Sequence, residues 1–525
     1  MDSKEVRRKF LEFFEKRRHK VVASSSLIPA DSSVLFTTAG MQRFSPYLAG
    51  EKDVIEDFGT RHLASSQKCF RANDIEEIGD DTHHTFFEML GNWSIGEDPQ
   101  HGYFKEGAIK YALDLLLEGY GFEKDKLWIT IFKGNKDIPK DEESKKIWQK
   151  YGIPEERIRE FGEEDNLWGP VAETGPCGPN TEIHYDRGEE CGCSGSSCGP
   201  NCEKCQRFVE IWNLVFMEYF RDKDGSFRVL PFKNVDTGAG LERLASVLQK
   251  KPSAFETDLF WPLIQELVKN SSFDYEEEKR KFRIIVDHVR GAVFLASEGI
   301  IPSNTDRGYI LRRILRRVMV FGKVLELNDN FQIDLAKKVI DLYKDVYPNL
   351  LSKQSEILTV IQKEEEKFNK TLEKGMKEFK KALEVCGDSK KIDSERAFEL
   401  YSTYGFPLEI MKELCKERDI KLDEKGCQEL LKEHQEISRA GAEKKFGGVG
   451  KDADYQSAKL HTATHLLHTS LRKVLGDHVK QEGSDINSER LRFDFSHPKK
   501  MTEEEIEKVE SLVNEKIEED LEIKK

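Results

Sequence analysis

The sequence predicts an α+β or α/β fold over the first 250 residues, with a mixed and largely antiparallel sheet, and a mainly helical part after it. Short β-like runs punctuated by Gly and Pro, together with five of the six Trp, fall in the first part. Their spacing is irregular and lacks the strand-helix-strand rhythm of a parallel sheet. From about Phe255 to Gly426 the pattern turns to apolar residues at helical intervals.

Taken in order, MDSKEVRRKFLEFFEKRRHK places Val6, Phe10, Phe13 and Phe14 on one helical face among charges. Candidate strands follow at Val34–Thr38, Thr85–Leu90, Leu127–Phe132, Thr181–Asp186 and Val209–Tyr219, several flanked by Gly or Pro. Further on, Ile361, Phe368, Leu372, Phe379 and Leu383 form a stripe on one face of a long helix. The segment Arg307–Lys323 carries Arg312, Arg313, Arg316 and Arg317 at helical spacing. They form either a solvated face that pairs with neighbouring carboxylates or a face that contacts phosphates. A Gly/Lys/Ala-rich stretch between Ser438 and Asp454 reads as a linker. A last segment offers a helix at His461–Leu475, a strand-like LRFDFSH and a charged helix from Thr502. The expected domains are 1–250 with a Cys-rich insertion at about 187–206, a helical 251–437, a linker at 438–455, and 456–525.

The chain has 525 residues, 38% hydrophobic and 34% charged, the balance of a folded protein rather than a disordered one. Its net charge of -14 argues against coating nucleic acid by bulk charge, while leaving room for a local basic face. No run approaches the roughly 20 apolar residues of a membrane span, and the amphipathic first helix does not read as a leader, so a cytoplasmic address is expected. Of ten cysteines, five crowd into CGCSGSSCGPNCEKC: Cys191, Cys193, Cys198, Cys202 and Cys205. That pattern signals a closed structural zinc knuckle, with five candidates for four positions.

Two motifs could handle a nucleotide. In SQKCFRANDIEEIGDDTHHTFFEMLGNWS, from Ser66 to Ser94, an Arg ends one strand-like segment and a second returns as TFFEML. Such a hairpin aims Arg71 and one aromatic at a common cleft, where a guanidinium binds phosphate and a ring stacks on a base. In DTGAGLER, from Asp236 to Arg243, a Gly-containing turn leads into a helix with Arg243 one turn in. An ordinary N-cap would also account for Asp236 and Thr237.

The order TFFEMLGNWS, ETGPCGPNTEIHYD, EIWNLVFM, DTGAGLERL resembles the class II alanyl-tRNA synthetases. The likeness extends from LFTTAGMQRFSPYL through PSNTDRGYILRRILRR and LYSTYGFP to HTATHLLH. It implies an antiparallel sheet flanked by helices for catalysis, then a helical tRNA-recognition domain and a partial α/β editing domain. The implied reaction converts alanine and ATP to alanyl-adenylate and pyrophosphate, then moves the alanyl group to the 3' end of the alanine tRNA, with Mg2+ sharing the charge. By motif, Arg71 resembles the α-phosphate arginine and Arg243 the one at the γ-phosphate. Phe87 is the choice for adenine stacking, with Phe86 on the opposite face as the alternative. Asp236 resembles the carboxylate that pairs with the substrate ammonium and Asn213 its polar partner. Trp168, Val215 and Gly238 fall in the alanine pocket. Asn304 resembles a residue that reads the acceptor-stem G·U pair, where Arg312, Arg313 and Arg316 would meet the tRNA. Ser402 replaces the usual Asp of a YDTYGFP motif.

A pocket sized for a methyl group rejects glycine by only about 1 to 3 kcal/mol, so a second, hydrolytic site is expected. His461 and His465, at i and i+4, resemble two zinc ligands of the family's editing site. The family's remaining C-x-x-x-H is not met before Lys525, and the small β-barrel ahead of the editing domain is missing. His468 on the same helix is a possible third donor that the family does not use. Editing is therefore expected to be incomplete, and a monomer is expected. The rival readings are a non-catalytic tRNA-binding protein on the same fold and a hydrolase of mischarged tRNA.

Overall fold

A computed structural model describes residues 1–31, 33–73, 75–97, 103–193, 198–202, 204–386, 390–432, 455–486, 490–497 and 499–519. Residues 438–454 of the expected linker lie outside the described residues. The chain divides into two compact units, residues 1–373 and 374–525.

The first unit opens with α1 (Ser3–Glu15), started by the Asp2 side chain, which accepts from the Glu5 amide. Val6, Phe10 and Phe14 are fully buried, as their four-residue spacing dictates. The strands are β1 (Lys20–Val21), β2 (His62–Phe70), β3 (Phe86–Glu97), β4 (Leu127–Phe132), β5 (Ile158–Phe161), β6 (Leu167–Trp168), β7 (Gly175–Asp186), β8 (Phe208–Arg221) and β9 (Phe227–Gly240). Among the described residues they form one sheet in the order β1-β2-β3-β9-β8-β7-β4-β5, with β6 beside β7. Only β1–β2 and β4–β5 run parallel, so the expected mixed, mainly antiparallel sheet is what forms.

Two expectations are corrected. Val34–Thr38 is not a strand: it packs by Phe36 against Phe70, ring centroids 4.8 Å apart, and makes isolated backbone bonds from Thr37. The Gly-containing DTGAG is not a turn but the last five residues of β9, which the sequence pattern had not flagged as a strand.

Helices follow: α2 (Leu241–Leu248), directly after β9, then α3 (Lys279–Ser297), α4 (Asp306–Val324) and the long α5 (Gln354–Cys386), within which the two units divide. In α5, Ile361, Phe368, Leu372 and Phe379 are buried, as the stripe requires. In the second unit, α6 (Tyr455–Leu475) and α7 (Glu503–Glu518) pack on a hairpin of Gln481–Ile486 and Leu491–Phe495. Thr502 and Glu505 cap α7 reciprocally. Among the described residues, no helix is long and apolar enough to cross a membrane.

Candidate active site

Directly opposed residues in an antiparallel pair point to the same face, so register arranges the site. Strand β3 alternates Phe87, Met89, Gly91 and Trp93 on one face. Phe87 to Trp93 is six residues, a reach of about 20 Å at ~3.4 Å per residue.

At one end, the register pairs Phe87 with Cys69 and Phe86 with Phe70. Phe86 is fully buried and stacks on Phe294 of α3 at 3.9 Å, while half-buried Phe87 stands with the Arg71 guanidinium 5.0 Å from its ring centroid. Strand alternation thus sends the two phenylalanines to different neighbours. The Arg71 amide donates to the Thr85 carbonyl at 2.8 Å, and Thr85 Oγ1 donates to buried Asp287 of α3 at 2.6 Å. Helix arginines grip the loop in between. Arg313 pairs with Glu76 at 2.9 Å, Arg317 donates to the Ile75 carbonyl, and Arg283 pairs with Asp81 at 2.9 Å.

Arg243 lies on α2, its side chain 37% exposed and paired with Glu210 of β8. Glu210 stands opposite His184 in the register, and His184 Nε2 lies 3.2 Å from Glu182 Oε2. Burial pushes the Glu210 carboxyl up, but Arg243 and His184 outweigh it and hold it below the ordinary value. Burial and the Glu210 charge push Glu182 the other way, upward. Two linked carboxylates beside a cationic arginine suit a phosphate that brings its own divalent cation; among the described residues they do not, with His184, form a cluster of three metal donors. Glu182, His184 and Glu210 were not singled out from sequence. The polar alternation in TEIHYD was the available signal, putting Glu182 and His184 on one strand face.

At the other end, Asp236 of β9 is paired in register with Trp93 and with Val215. Trp93 Nε1 donates to Asp236 Oδ1 at 2.6 Å. Burial raises the Asp236 carboxyl to about 7 despite that bond, and among the described residues nothing cationic offsets it. Val215 and Trp93 belong to one buried cluster with Met41, against which Trp168 and Met89 pack. Asn213, opposite Gly238, accepts from Asn180 at 2.9 Å and donates to Glu182 Oε1 at 3.1 Å. A side chain at Gly238 would start 2.8 Å from Met89 Sδ, so anything larger than Gly requires the Met89 side chain to move. Arg71 with Phe87 therefore gathers at one end, and Asp236, Val215 and Trp168 at the other. Glu182 and Asn213 join the two.

Of the five crowded cysteines, four converge. Cys193, Cys198, Cys202 and Cys205 place their sulfurs within 4.8 Å of one another. Cys191 is exposed and outside the group, so the fifth candidate drops out. Tetrahedral zinc at about 2.3 Å from each sulfur would set the sulfurs about 3.8 Å apart, so the donors fit that ion.

The remaining candidates lie elsewhere. Asn304 accepts from Arg312, which also lies 3.5 Å from Glu364, and Arg316 pairs with Glu364 at 2.8 Å. Arg312, Arg313 and Arg316 are thus each engaged with a carboxylate of the chain itself. In the second unit, the exposed rings of His461 and His465 lie 5.1 Å apart, and the His468 ring lies 5.5 Å from that of Phe493, tilted by 44°. Among the described residues, these histidines do not join a cluster of three or more metal donors. Ser402 ends the helix Ser394–Ser402 and is exposed.

The family model described as tRNA synthetases class II (A) matches residues 5–487. An Alanine--tRNA ligase of Borrelia hermsii is 45% identical over 99% of this chain and 87% of its own length. One of Treponema denticola is 47% identical over 98% of this chain and 86% of its own. One of Thermotoga maritima is 39% identical over 98% of this chain and 71% of its own, in an alignment of 632 positions, more than this chain has residues. Sheet order, the two ends of the cleft and these relatives agree: the chain belongs to the class II tRNA synthetase family.

Proposed function

We propose that the chain activates alanine with ATP and transfers the alanyl group to the 3' end of the alanine tRNA. The observation that carries this reading is Asp236. It is a buried carboxylate with no cationic partner, held by Trp93 at the apolar end of a cleft whose other end is cationic and aromatic. An α-ammonium supplies the missing charge there, and Trp168 and Val215, packed in one apolar cluster, would face its methyl group. Phe87 stacks on the adenine while Arg71 holds the α-phosphate. The alanine carboxylate then attacks the α-phosphorus, pyrophosphate leaves, and Arg243 stabilises its charge. Glu182 and Glu210 would hold Mg2+, which when bound neutralises phosphate charge. Zn2+ in the four-cysteine site would be structural.

In this reading residues 1–250 carry catalysis, 251–437 recognise tRNA through Asn304 and the α4 arginines, and 456–525 form part of an editing domain. The α4 arginines exchange an internal carboxylate for RNA phosphate on binding, and Ser402 weakens G·U discrimination relative to Asp. The enzyme acts in the cytoplasm, and His461 and His465 are not assigned a hydrolytic role. The test is amino-acid-dependent ATP–pyrophosphate exchange across all twenty amino acids. Exchange strongest with alanine is the expected result. Absence of exchange from folded, zinc-loaded protein defeats the reading and favours a non-catalytic tRNA-binding role. Asn304→Ala should spare exchange and slow only tRNA charging.

A further inference from the structure

The cysteine hairpin takes no part in the chemistry above, yet it borders that chemistry directly. Cys202 and Cys205 line a cavity of about 200 Å3 together with His184, Glu210 and Arg243. The base of the hairpin is closed on the same side. Arg207 binds both carboxylate oxygens of Asp186 at 2.6 and 2.7 Å, and the Arg187 amide donates to the Arg207 carbonyl at 2.9 Å. The Arg187 guanidinium then crosses to α2 and the residues after it, donating to Ser246 Oγ at 3.1 Å and to the Lys251 carbonyl at 2.9 Å. Ser246, one turn beyond Arg243, donates in turn to the Arg243 carbonyl at 2.8 Å. Hydrogen bonds thus run without a break from the cysteine hairpin to the helix that carries Arg243.

A Gly/Ser-rich hairpin buries little apolar surface, so its shape depends on whatever holds the four sulfurs together. We propose that the metal-loaded hairpin of Cys193, Cys198, Cys202 and Cys205 is a positioning element for the triphosphate, fixing the wall of the Arg243 cavity through Arg187 and Ser246. This rests on the synthetase reading above. Losing the metal relaxes the wall where the β- and γ-phosphates sit. It leaves the Asp236 end of the cleft unaltered.

The experiment compares the whole chain with Cys198→Ser/Cys202→Ser and with Arg187→Ala. It reads zinc per chain, the visible spectrum after cobalt substitution, and KM for ATP and for alanine in pyrophosphate exchange. The wild type should hold one zinc and show cobalt–thiolate bands. The cysteine variant should hold none and show a KM for ATP raised about tenfold, with KM for alanine within about twofold of wild type. Arg187→Ala should keep the metal and show the same rise for ATP, so the proposal remains exposed even where the cysteine variant does not fold. Unchanged KM for ATP in a metal-free cysteine variant, or in Arg187→Ala, overturns the proposal while the synthetase reading survives. So does a wild type whose four cysteines form two disulfides without metal. A wild type with its zinc and no exchange removes the synthetase reading and the proposal with it.

Discussion

At the Phe87 end of the cleft, charges come in company: Arg243 with Glu210, Glu210 beside His184, His184 beside Glu182. At the Trp93 end a single carboxylate sits among Trp, Val and Met side chains. The first arrangement spreads charge over several linked groups, Arg243 and Glu210 partly exposed and Glu182 and His184 buried, so the set tolerates the presence or departure of a polyanion. The second concentrates an unmet need in one buried group, which makes it selective for a small cationic ligand. The difference predicts that substitutions at the two ends separate ATP from alanine in their kinetics.

The largest effect tests the phosphate end. Arg71→Ala should lower exchange by at least ~10³-fold, about 4 kcal/mol of transition-state stabilisation. Its thermal midpoint should stay near wild type, since no described carboxylate pairs with Arg71. Arg243→Ala should lose as much activity and also melt earlier, because it removes the arginine that pairs directly with Glu210. If the two variants melted alike, the contrast between an uncommitted and a paired arginine would fail. Next, Asp236→Asn should raise KM for alanine roughly a hundredfold, about 3 kcal/mol, with KM for ATP little changed. Equal effects on both substrates would erase the division of the cleft. Third, kcat/KM for glycine should fall below that for alanine by only about 10- to 150-fold, the yield of one methyl group. The smallest effect is that of pH. The Asp236 carboxyl, raised to about 7, is protonated below that value and then presents no charge to the ammonium. KM for alanine should therefore rise as pH falls, by about fivefold from pH 7 to 6, and the profile of Asp236→Asn should be flat.

Much of this site was legible in the sequence because strands and motifs coincide. Leu127–Phe132 is apolar, β-branched and flanked by turn residues, and it forms the strand expected. The Arg71–Phe87 pair follows from a hairpin whose register the flanking apolar runs determine. Val34–Thr38 has strand composition without a neighbouring edge to join, which no local pattern records. DTGAG misled in the opposite direction, since it continues β9 and Gly238 packs close to Met89 rather than making a turn. Glu182 and Glu210 were hidden because polar residues alternating with apolar ones along a strand look like an ordinary outward face. Four arginines at helical spacing spell basic face in the sequence. Their engagement with Glu76, Glu364 and the Ile75 carbonyl depends on chain segments tens to hundreds of residues away.

The sheet order has a consequence for how the site comes into being. Strand β9 lies between β3 and β8, and the Trp93–Asp236 hydrogen bond closes a loop of 143 residues. Loop closure on that scale makes the pairing a late and slow event in folding. A chain emerging from the ribosome presents Arg71 and Phe87 long before it presents Asp236. Until β9 docks, such a nascent chain has Arg71 and Phe87 but neither Asp236 nor Arg243, so under the proposed reading activation waits for the middle of the sheet to close.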